Sequence, residues 1–283
     1  MSLNLGIIAS QRDTAAPPSA LLLDTYPGAA AAYSLRKLRT AYTGPAIRVI
    51  RSSDNAQTDI GFVNNILDTT TLTTFVGSSN GLISVFYDQS GNSNNATAIQ
   101  TFAPDIVVNG VLQTQNSKPC INFRATLGRF LTMTTGVISD TNISIFMTSK
   151  NDNSTDKGLI LSGQNLPAPF FGSYGSALPS LAIQGFKNGS SAYVLTTPNY
   201  HTANYVINNC IVNSTDYYIY QNNSIFTNNV VGFGLASNTL SQIGRYANEF
   251  SVAKLSELVF YKTDQTSNRI GIVSNTNTFY SIF

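Results

Sequence analysis

The sequence has no tryptophan, one histidine, two cysteines and few charged residues. Charged residues make up 11% of the chain, against about 25% in an average soluble domain, so polar uncharged side chains must cover much of the surface. The formal net charge is +2, and no basic run is longer than LRKLR. Such a chain offers no broad positive field for nucleic acid, and we do not expect it to bind one.

Cysteine and histidine are too scarce for a disulfide scaffold or a zinc site. Cys120 and Cys210 both lie in strand-like runs, and we expect them to be buried free thiols. A single histidine with this cysteine spacing leaves no zinc pattern. The chain also lacks an apolar stretch long enough to cross a bilayer, and its first residues lack the basic leader of a signal peptide. These features predict a protein made in the cytosol without export or membrane insertion.

From residue 46 onward, apolar and polar residues alternate with period two. Runs such as AIRVIRS, NISIFMTS and KLSELVFYK show this alternation, and Asn, Gly, Pro, Ser or Asp residues bound them. Many short alternating strands with polar turns are typical of an antiparallel β-sandwich. With 42% hydrophobic residues the chain can build a substantial core. We therefore predict an all-β sandwich domain over residues 21–283.

The two ends of the chain depart from this pattern. Residues 1–20 are rich in Ala, Pro and Ser, which predicts an N-terminal arm or tether. The stretch DTYPGAAAAYSLRKLRTAYTG predicts an N-terminal helix that begins at a cap, Asp24 or Thr25, and ends at Gly44. The last segment predicts a C-terminal helix with Asp264 as its cap, although its many Asn and Thr residues favour helix only weakly.

The loop YDQSGNSNNA follows a buried strand and contains the aspartate Asp88. Its carboxylate can accept hydrogen bonds from backbone amides two or three residues further on, which would make the loop a self-sufficient turn. The alternative is a calcium site formed by Asp88 and Asn92. Calcium prefers several carboxylates, and only one is local. We expect the structural turn and no cofactor, with Ca²⁺ as the alternative.

Tyrosines are the candidate sugar contacts, because the chain lacks the tryptophan that most often stacks on a sugar ring. The stretches NYHTANY and DYYIY supply Tyr200, Tyr205 and Tyr218 as carbohydrate-binding candidates. In alternating strands some of these rings must instead be buried or form cross-strand pairs. Both interpretations stay open at this point.

Three stretches, AAYSLRKLRTAYTGPAIRVIRSSDNAQTDIGF, GLISVFYDQSGNSNNATA and SKPCINF, together resemble a domain of the concanavalin A-like (laminin-G-like) jelly-roll superfamily. The version that they resemble recurs in bacteriophage virion proteins. It is related to the catalytic domain of fungal-type α-L-arabinofuranosidases, which carry a similar YDQSGN loop. The similarity covers residues 21 to about 124 and the closing strand and helix, whereas residues 135–245 match nothing. The resemblance implies a jelly roll, a fold that hosts lectins, hydrolases and structural modules alike.

The same resemblance implies one catalytic candidate. Glu257, in LSELVFY, falls where the arabinofuranosidase-like pattern places its nucleophile. The chain departs from the enzyme pattern, because the strand continues as LVFYKTD instead of the glycine-rich signature and no adjacent cysteine pair is present. A glycosidase also needs a second carboxyl group as its acid, and none can be placed. We therefore expect a protein that is not an enzyme and assign no catalytic residue, with Glu257 as the alternative.

Together these features favour a bacteriophage virion structural protein, either a capsid decoration or a tail appendage. It would be made in the host cytoplasm and would bind other virion proteins through its N-terminal arm. Its sandwich would contact host surface glycans, and repeated sites on a particle predict homo-oligomers. The alternatives are an α-L-arabinofuranosidase-like glycoside hydrolase and a carbohydrate-binding adhesin.

Overall fold

The computed structural model describes most of the chain from residue 20 onward. The described residues are 20–133, 142–152, 158–163, 170–173, 181–187, 191–197, 204–213, 217–228, 240–246 and 248–283. The arm predicted over residues 1–20 and the sugar-contact candidate Tyr200 lie outside them, apart from Ala20. The arm and the domain boundaries stay predictions.

The helices of the described residues are short. They are α1 (Leu22–Thr25), α2 (Thr69–Val76) and α3 (Arg269–Tyr280), with 3₁₀ turns at Gln100–Phe102 and Ala125–Leu127. None of the helices in this part of the chain combines the length and the apolar character that crossing a membrane requires.

Strands make up about half of the described residues. They are β1 (Ala29–Ser34), β2 (Ile47–Arg51), β3 (Gln57–Ile60), β4 (Phe62–Val63), β5 (Ile66–Leu67), β6 (Gly81–Phe86), β7 (Ala96–Thr97), β8 (Asp105–Val108), β9 (Val111–Leu112), β10 (Thr114–Gln115), β11 (Lys118–Pro119), β12 (Ile121–Phe123), β13 (Leu131–Met133), β14 (Ile143–Asn151), β15 (Ile160–Ser162), β16 (Phe170–Ser173), β17 (Leu181–Lys187), β18 (Ser191–Thr197), β19 (Tyr205–Val212), β20 (Tyr217–Gln221), β21 (Ser224–Asn228), β22 (Gln242–Ile243), β23 (Arg245–Tyr246), β24 (Glu249–Phe250) and β25 (Ala253–Tyr261).

Antiparallel pairing arranges these strands in two layers. In the first layer, β25 pairs with β1 and β12 along one edge and with β14 along the other, and β19, β20 and β21 follow β14. In the second layer, β2 lies between β3 and β6, and β6 pairs with both β7 and β8. From β7 onward, neighbouring strands pair in the order β7, β13, β22, β15, β16, β17 and β18. One residue pair, Asn122 opposite Asp105, joins the two layers.

The two layers share one hydrophobic core. Tyr33 and Phe260 from the first layer pack in the same buried cluster as Val49, Ile83 and Phe86 from the second. Alternate residues of the same strands face this core, as the period-two pattern requires. The predicted all-β antiparallel sandwich is therefore confirmed.

Strand β25 is covered on both of its faces. Leu258 and Phe260 point into the shared core, whereas Val259 and Tyr261 belong to a second buried cluster that includes residues of α1 and α3. The predicted C-terminal helix is confirmed, and it packs over the outer face of the first layer through residues such as Val273.

The helix predicted from Asp24 to Gly44 is wrong. Only Leu22–Thr25 is helical, and residues 29–34 instead form β1, which pairs with β25. Alanine favours helices, but that preference is weak, and here Ala31 and Ala32 are fully buried against opposite sides of the layer. Small side chains suit a strand that is enclosed on both faces, so packing overrides the local preference.

The predicted cap residues have other partners. Asp24 accepts hydrogen bonds from the Thr40 amide, at 3.1 Å, and from the Thr40 hydroxyl. Helix α3 begins after Asn268, while Asp264 accepts the amide of Thr266 at 2.8 Å in the preceding turn. Both aspartates therefore order loops next to the helices instead of capping them.

Candidate functional site

Asp88 lies inside the molecule and accepts four hydrogen bonds. Its Oδ1 atom accepts the amides of Ala32 and Ser90, each at 2.8 Å. Its Oδ2 atom accepts the Ser90 hydroxyl at 2.7 Å and the Asn94 amide at 3.0 Å. The carboxylate is 4% exposed, so the prediction that it stabilises its own main chain is confirmed. The bond to Ala32 adds a tie to β1 that the sequence did not predict.

The rest of this loop is tied to the same strand. The Gln89 side chain accepts the Leu38 amide at 2.8 Å and donates to the carbonyls of Ser34 and Arg36 at 2.9 and 3.1 Å. The Asn92 side chain donates to the Ala29 carbonyl at 2.9 Å. These bonds give the loop a structural role in fastening β1 to the segment that follows it.

The arrangement bears on the calcium alternative. Both Asp88 oxygens are already used by N–H and O–H donors, which a metal ion would have to displace. The described residues contain no group of three or more His, Cys, Asp or Glu side chains that could hold a metal ion. The calcium site stays a prediction, and the Asp88 geometry gives it no support.

Glu257 is buried in an ion pair with Arg36. The Arg36 Nε atom lies 2.7 Å from Glu257 Oε2, and Arg36 Nη2 lies 2.9 Å from Oε1, so the contact is bidentate. Ser34 and Thr276 donate their hydroxyls to the same carboxylate, at 2.9 and 3.2 Å. The Tyr280 hydroxyl adds a fifth donor, 3.4 Å from Oε2. Glu257 is 2% exposed, and donors from two segments of the chain, residues 34–36 and helix α3, enclose it.

The Glu257 carboxylate changes the pKa values of the groups around it. Burial alone would lower the pKa of Arg36, but the Glu257 carboxylate offsets it and raises the pKa above its ordinary value. Burial and the Glu257 charge together raise the pKa of the nearby Tyr280 hydroxyl. With a bidentate arginine and buried hydroxyls around its carboxylate, the cluster resembles a structural clamp more than a nucleophile open to substrate.

Asp105 is a third buried carboxylate of the described residues, beside Asp88 and Glu257. Arg124 binds it in bidentate geometry, at 2.7 and 2.8 Å, and Arg129 lies 3.8 Å away. Burial raises the pKa of Asp105 by more than the two arginines lower it. A carboxyl group with a raised pKa is a general-acid candidate in an open cleft, but Asp105 is enclosed and ion-paired.

The tyrosine candidates are placed unequally. Tyr205 is 7% exposed and packs edge-on against Tyr280 with ring centroids 5.9 Å apart, which leaves little of its ring for a sugar. Tyr218 is half-buried and lies 6.0 Å from the Tyr220 ring, and the Arg269 guanidinium covers Tyr220 at 4.1 Å. Of the described candidates, Tyr218 offers the more accessible ring.

Cys120 and Cys210 are free thiols, as predicted, and both are buried. Burial raises the pKa of the Cys120 thiol to about 12. A thiol with so high a pKa carries almost no thiolate at neutral pH, so neither a nucleophilic nor a redox role is indicated.

Two surface pockets were not predicted from the sequence. The larger, of about 560 Å³, lies where the segment after β1 meets the β4–β5 hairpin, and we call it the Lys37 pocket. Its lining residues are Lys37, Tyr42, Thr43, Gly44, Pro45, Gly61, Phe62, Asn64 and Asn65. A second, of about 360 Å³, is lined by Thr97, Ala98, Ile99, Phe102, Phe130 and Thr132. The aromatic residues and paired asparagines were visible in the sequence, but their meeting depends on tertiary contacts.

Comparison with known proteins supplies a direct functional lead. Residues 23–163, just under half of the chain, match the family model of the catalytic domain of α-L-arabinofuranosidase B. A probable α-L-arabinofuranosidase B of Aspergillus flavus is 38% identical over 96 residues, which are 33% of this chain and 19% of that protein. The corresponding enzyme of Aspergillus oryzae is 36% identical over 96 residues, again 33% of this chain and 19% of that protein.

A solved structure extends the likeness over most of the chain. An arabinofuranosidase complexed with arabinofuranosyl-α-1,2-xylobiose superposes with a TM-score of 0.61 at 16% identity, covering 90% of this chain and 64% of that one. At this identity the superposition shows the fold alone. The chain thus spans less than two thirds of the solved enzyme, and the matched segment is about a fifth of the curated relatives.

These findings correct the functional predictions made from sequence. The expectation of a non-enzymatic bacteriophage virion protein is wrong, because the matching family model is that of an enzyme's catalytic domain and the curated relatives are named as arabinofuranosidases. The virion location and the partnership with other virion proteins are wrong for the same reason. The distant resemblance to arabinofuranosidase B is confirmed.

Proposed function

We propose that this protein is a glycoside hydrolase of the α-L-arabinofuranosidase type, which releases arabinofuranose from arabinose-bearing glycans. The match of residues 23–163 to the catalytic-domain model supports the proposal. The relatives at 36–38% identity carry the same name, and the fold of the chain is compatible with it.

The ion pair of Glu257 bears on the identity of the reacting groups. A glycosidase uses two carboxyl groups about 5–10 Å apart, one as acid and one as nucleophile or base. Glu257 is enclosed by Arg36, Ser34 and Thr276, so a substrate could reach it only if this cluster opened. The proposal therefore assigns Glu257 a structural role and seeks the reacting carboxylates elsewhere.

Four other aspartates are the candidates to test. Asp152, at the end of β14, has a side chain that is 30% exposed and lies 3.5 Å from the Lys254 ammonium. Asp140, Asp156 and Asp216 lie outside the described residues. Asp152 has both the exposure and the partner cation that a reacting carboxylate can use.

The test is hydrolysis of a chromogenic α-L-arabinofuranoside and of arabinoxylan by the purified chain. Asp→Asn substitutions at positions 140, 152, 156 and 216 should reveal two positions at which turnover falls by at least about a hundredfold while the melting temperature is kept. Glu257→Gln is the comparison variant, and we expect it to lower the melting temperature, unlike a change at a reacting carboxylate. Absence of turnover by the wild-type chain at high enzyme concentration, on both substrates, would remove the proposal.

Binding without cleavage is the second candidate function. One observation favours it. The family resemblance implies Glu257 as the nucleophile, but this side chain is buried in an ion pair. A chain whose Glu257 is closed off by this ion pair could still hold an arabinose-bearing glycan. Saturable binding of arabinoxylo-oligosaccharides without any release of arabinose would select this alternative.

A further inference from the structure

The Lys37 pocket combines a cation, amide groups and aromatic walls at one place on the surface. The main-chain amide of Lys37 donates to the Asn65 carbonyl at 2.8 Å, which ties the segment after β1 to the β4–β5 hairpin. Within the described residues, no carboxylate lies within ion-pair distance of the Lys37 ammonium. The pocket therefore contains a positive charge that no described residue neutralises.

The acids nearest to the pocket in sequence are already engaged. Asp59 accepts two hydrogen bonds from Arg48, both at 2.8 Å, and one from the Tyr87 hydroxyl. Asp68 caps α2 through the amide and hydroxyl of Thr71. Because these carboxylates have their own donors, the pocket is suited to an anionic group from outside.

Two aromatic rings form part of the pocket wall. Tyr42 and Phe62 meet edge to face, with ring centroids 6.4 Å apart and planes at 78°. The Tyr42 hydroxyl donates to the Pro45 carbonyl at 2.8 Å. A Cβ atom on Gly44 would lie 2.6 Å from the Tyr42 oxygen, so the ring can occupy this position only because residue 44 has no side chain. Aromatic walls of this kind suit the C–H faces of a sugar ring.

The hairpin turn brings two amide side chains to the same rim. Asn64 and Asn65 both have positive φ, at 50° and 63°, as a tight two-residue hairpin turn requires. Both are exposed and line the pocket. An amide group can donate and accept hydrogen bonds, and so can a hydroxyl, so the two asparagine side chains can pair with sugar hydroxyls.

We propose that the Lys37 pocket binds a uronate residue, that is, a carboxylate-bearing pyranose, of the glycan on which the protein acts. Lys37 would pair with the carboxylate, Asn64 and Asn65 would bind hydroxyls, and the aromatic pair would contact the ring. This inference rests on the proposed function for the kind of polymer, which would be an arabinose-bearing glycan that also carries uronate residues. The pocket volume of about 560 Å³ is sufficient for one or two sugar residues.

Gly61 offers a way to block the pocket without disturbing its walls. It lines the pocket, and a Cβ atom added to it would meet no atom within 4 Å. Its backbone is not in the left-handed region, so a side chain there is not strained. Gly61→Leu should therefore fill the space, and Gly61→Ala is the matched control that leaves most of it open.

The experiment measures binding of a glucuronate-bearing xylo-oligosaccharide to the full chain by isothermal titration calorimetry in low salt. Its carboxyl-reduced form, with glucose in place of glucuronate, is the neutral probe. We expect the wild-type chain to prefer the carboxylate form by about fivefold, the size of one solvent-exposed ion pair. Lys37→Gln should remove this preference and Lys262→Gln, at an exposed lysine elsewhere, should keep it. Gly61→Leu should abolish binding of both forms, whereas Gly61→Ala should not.

Three outcomes would overturn the inference. The first is equal affinity of the wild-type chain for the two probes. The second is that the Lys37 and Lys262 variants keep or lose the preference for the carboxylate form alike. The third is that inorganic phosphate, which itself binds with low millimolar affinity, displaces the carboxylate form completely, because this would indicate a general anion site. Cleavage of the chromogenic arabinoside, measured on the same samples, separates the two proposals. Carboxylate-selective binding without cleavage would defeat the hydrolase alone, and cleavage without selectivity would defeat the uronate pocket alone.

Discussion

Arg36 and Glu257, 221 residues apart in the sequence, form a bidentate ion pair at 2.7 and 2.9 Å inside the first layer of the sandwich. The pair joins the segment after β1 to the centre of β25, and Arg36 also donates to Asn275 of α3 at 3.0 Å. The guanidinium lies 5.0 Å from the centre of the Phe279 ring. One buried arginine thus connects the beginning of the described fold with its final helix.

Removing one member of the Arg36–Glu257 ion pair should lower the stability of the fold strongly. Glu257→Gln leaves Arg36 buried without its counter-charge, and we expect the free energy of unfolding to fall by about 3–5 kcal/mol. The double variant Arg36→Met, Glu257→Met removes both charges and should lose less than either single change. Urea unfolding followed by circular dichroism measures all three. A Glu257→Gln protein that is as stable as wild type but inactive would instead identify Glu257 as a reacting group.

Asp88 should tolerate even its amide analogue poorly. In Asp88→Asn an NH₂ group replaces one carboxylate oxygen, and this group cannot accept hydrogen bonds. In the position of Oδ2 it would face the Ser90 hydroxyl and the Asn94 amide, which now donate to that oxygen. We expect a loss of about 2–3 kcal/mol in the free energy of unfolding. Asp54→Asn, in an exposed ion pair with Arg51, is the control and should change stability little. Similar values for the two variants would show that the Asp88 bonds do not contribute as proposed.

A calcium chelator tests the alternative interpretation of the same loop. An ion bound only to the folded chain raises the melting temperature, and its removal lowers it. Because the Asp88 carboxylate already accepts four donors, we expect an excess of EGTA to leave the melting temperature unchanged. Differential scanning fluorimetry with and without added CaCl₂ makes the measurement, and a calcium-dependent rise would restore the metal site.

The cap of α2 should give a measurable dependence of stability on pH. The bond from the Thr71 amide lowers the pKa of Asp68 in the folded state. Its contribution is therefore complete above the unfolded-state pKa and is lost as the pH falls through the lowered folded-state value. Asp68→Asn keeps a good cap residue but does not titrate. Urea unfolding at several values between pH 6 and pH 2 should show that the wild-type advantage over this variant shrinks on acidification.

The sequence predicts the strands well and the first segment badly. The alternation in KLSELVFYK follows the last part of β25, where Leu258 and Phe260 face the shared core. It breaks earlier in the strand, because Leu255 also faces that core and the pairing with β14 shifts register between Leu255 and Glu257. The alanines of β1 carry no such signal, because both faces of that strand are covered and small side chains fit on both. Such a strand is identified by what packs against it, and its partners lie far away in the sequence.

The candidate site shows the same limit. The turn chemistry of Asp88 with Ser90 is local, and the sequence predicts it. The bond to Ala32, the ion pair of Glu257 and the Lys37 pocket each combine segments that are remote along the chain. The virion interpretation failed for a related reason, because the shared fold hosts several kinds of protein and composition does not choose among them.

The pairing of β1 with β25 also has a consequence for biosynthesis. Ala29 lies opposite Tyr261 and Ser34 lies opposite Glu257, so the first strand has no partner until nearly the whole chain has left the ribosome. Closing so long a loop is slow, and sandwiches dominated by distant pairings fold in milliseconds to seconds. The loop at Asp88 can bond to the first strand early, but the edge that faces β25 stays unpaired for most of synthesis, and aggregation can compete with folding during that interval.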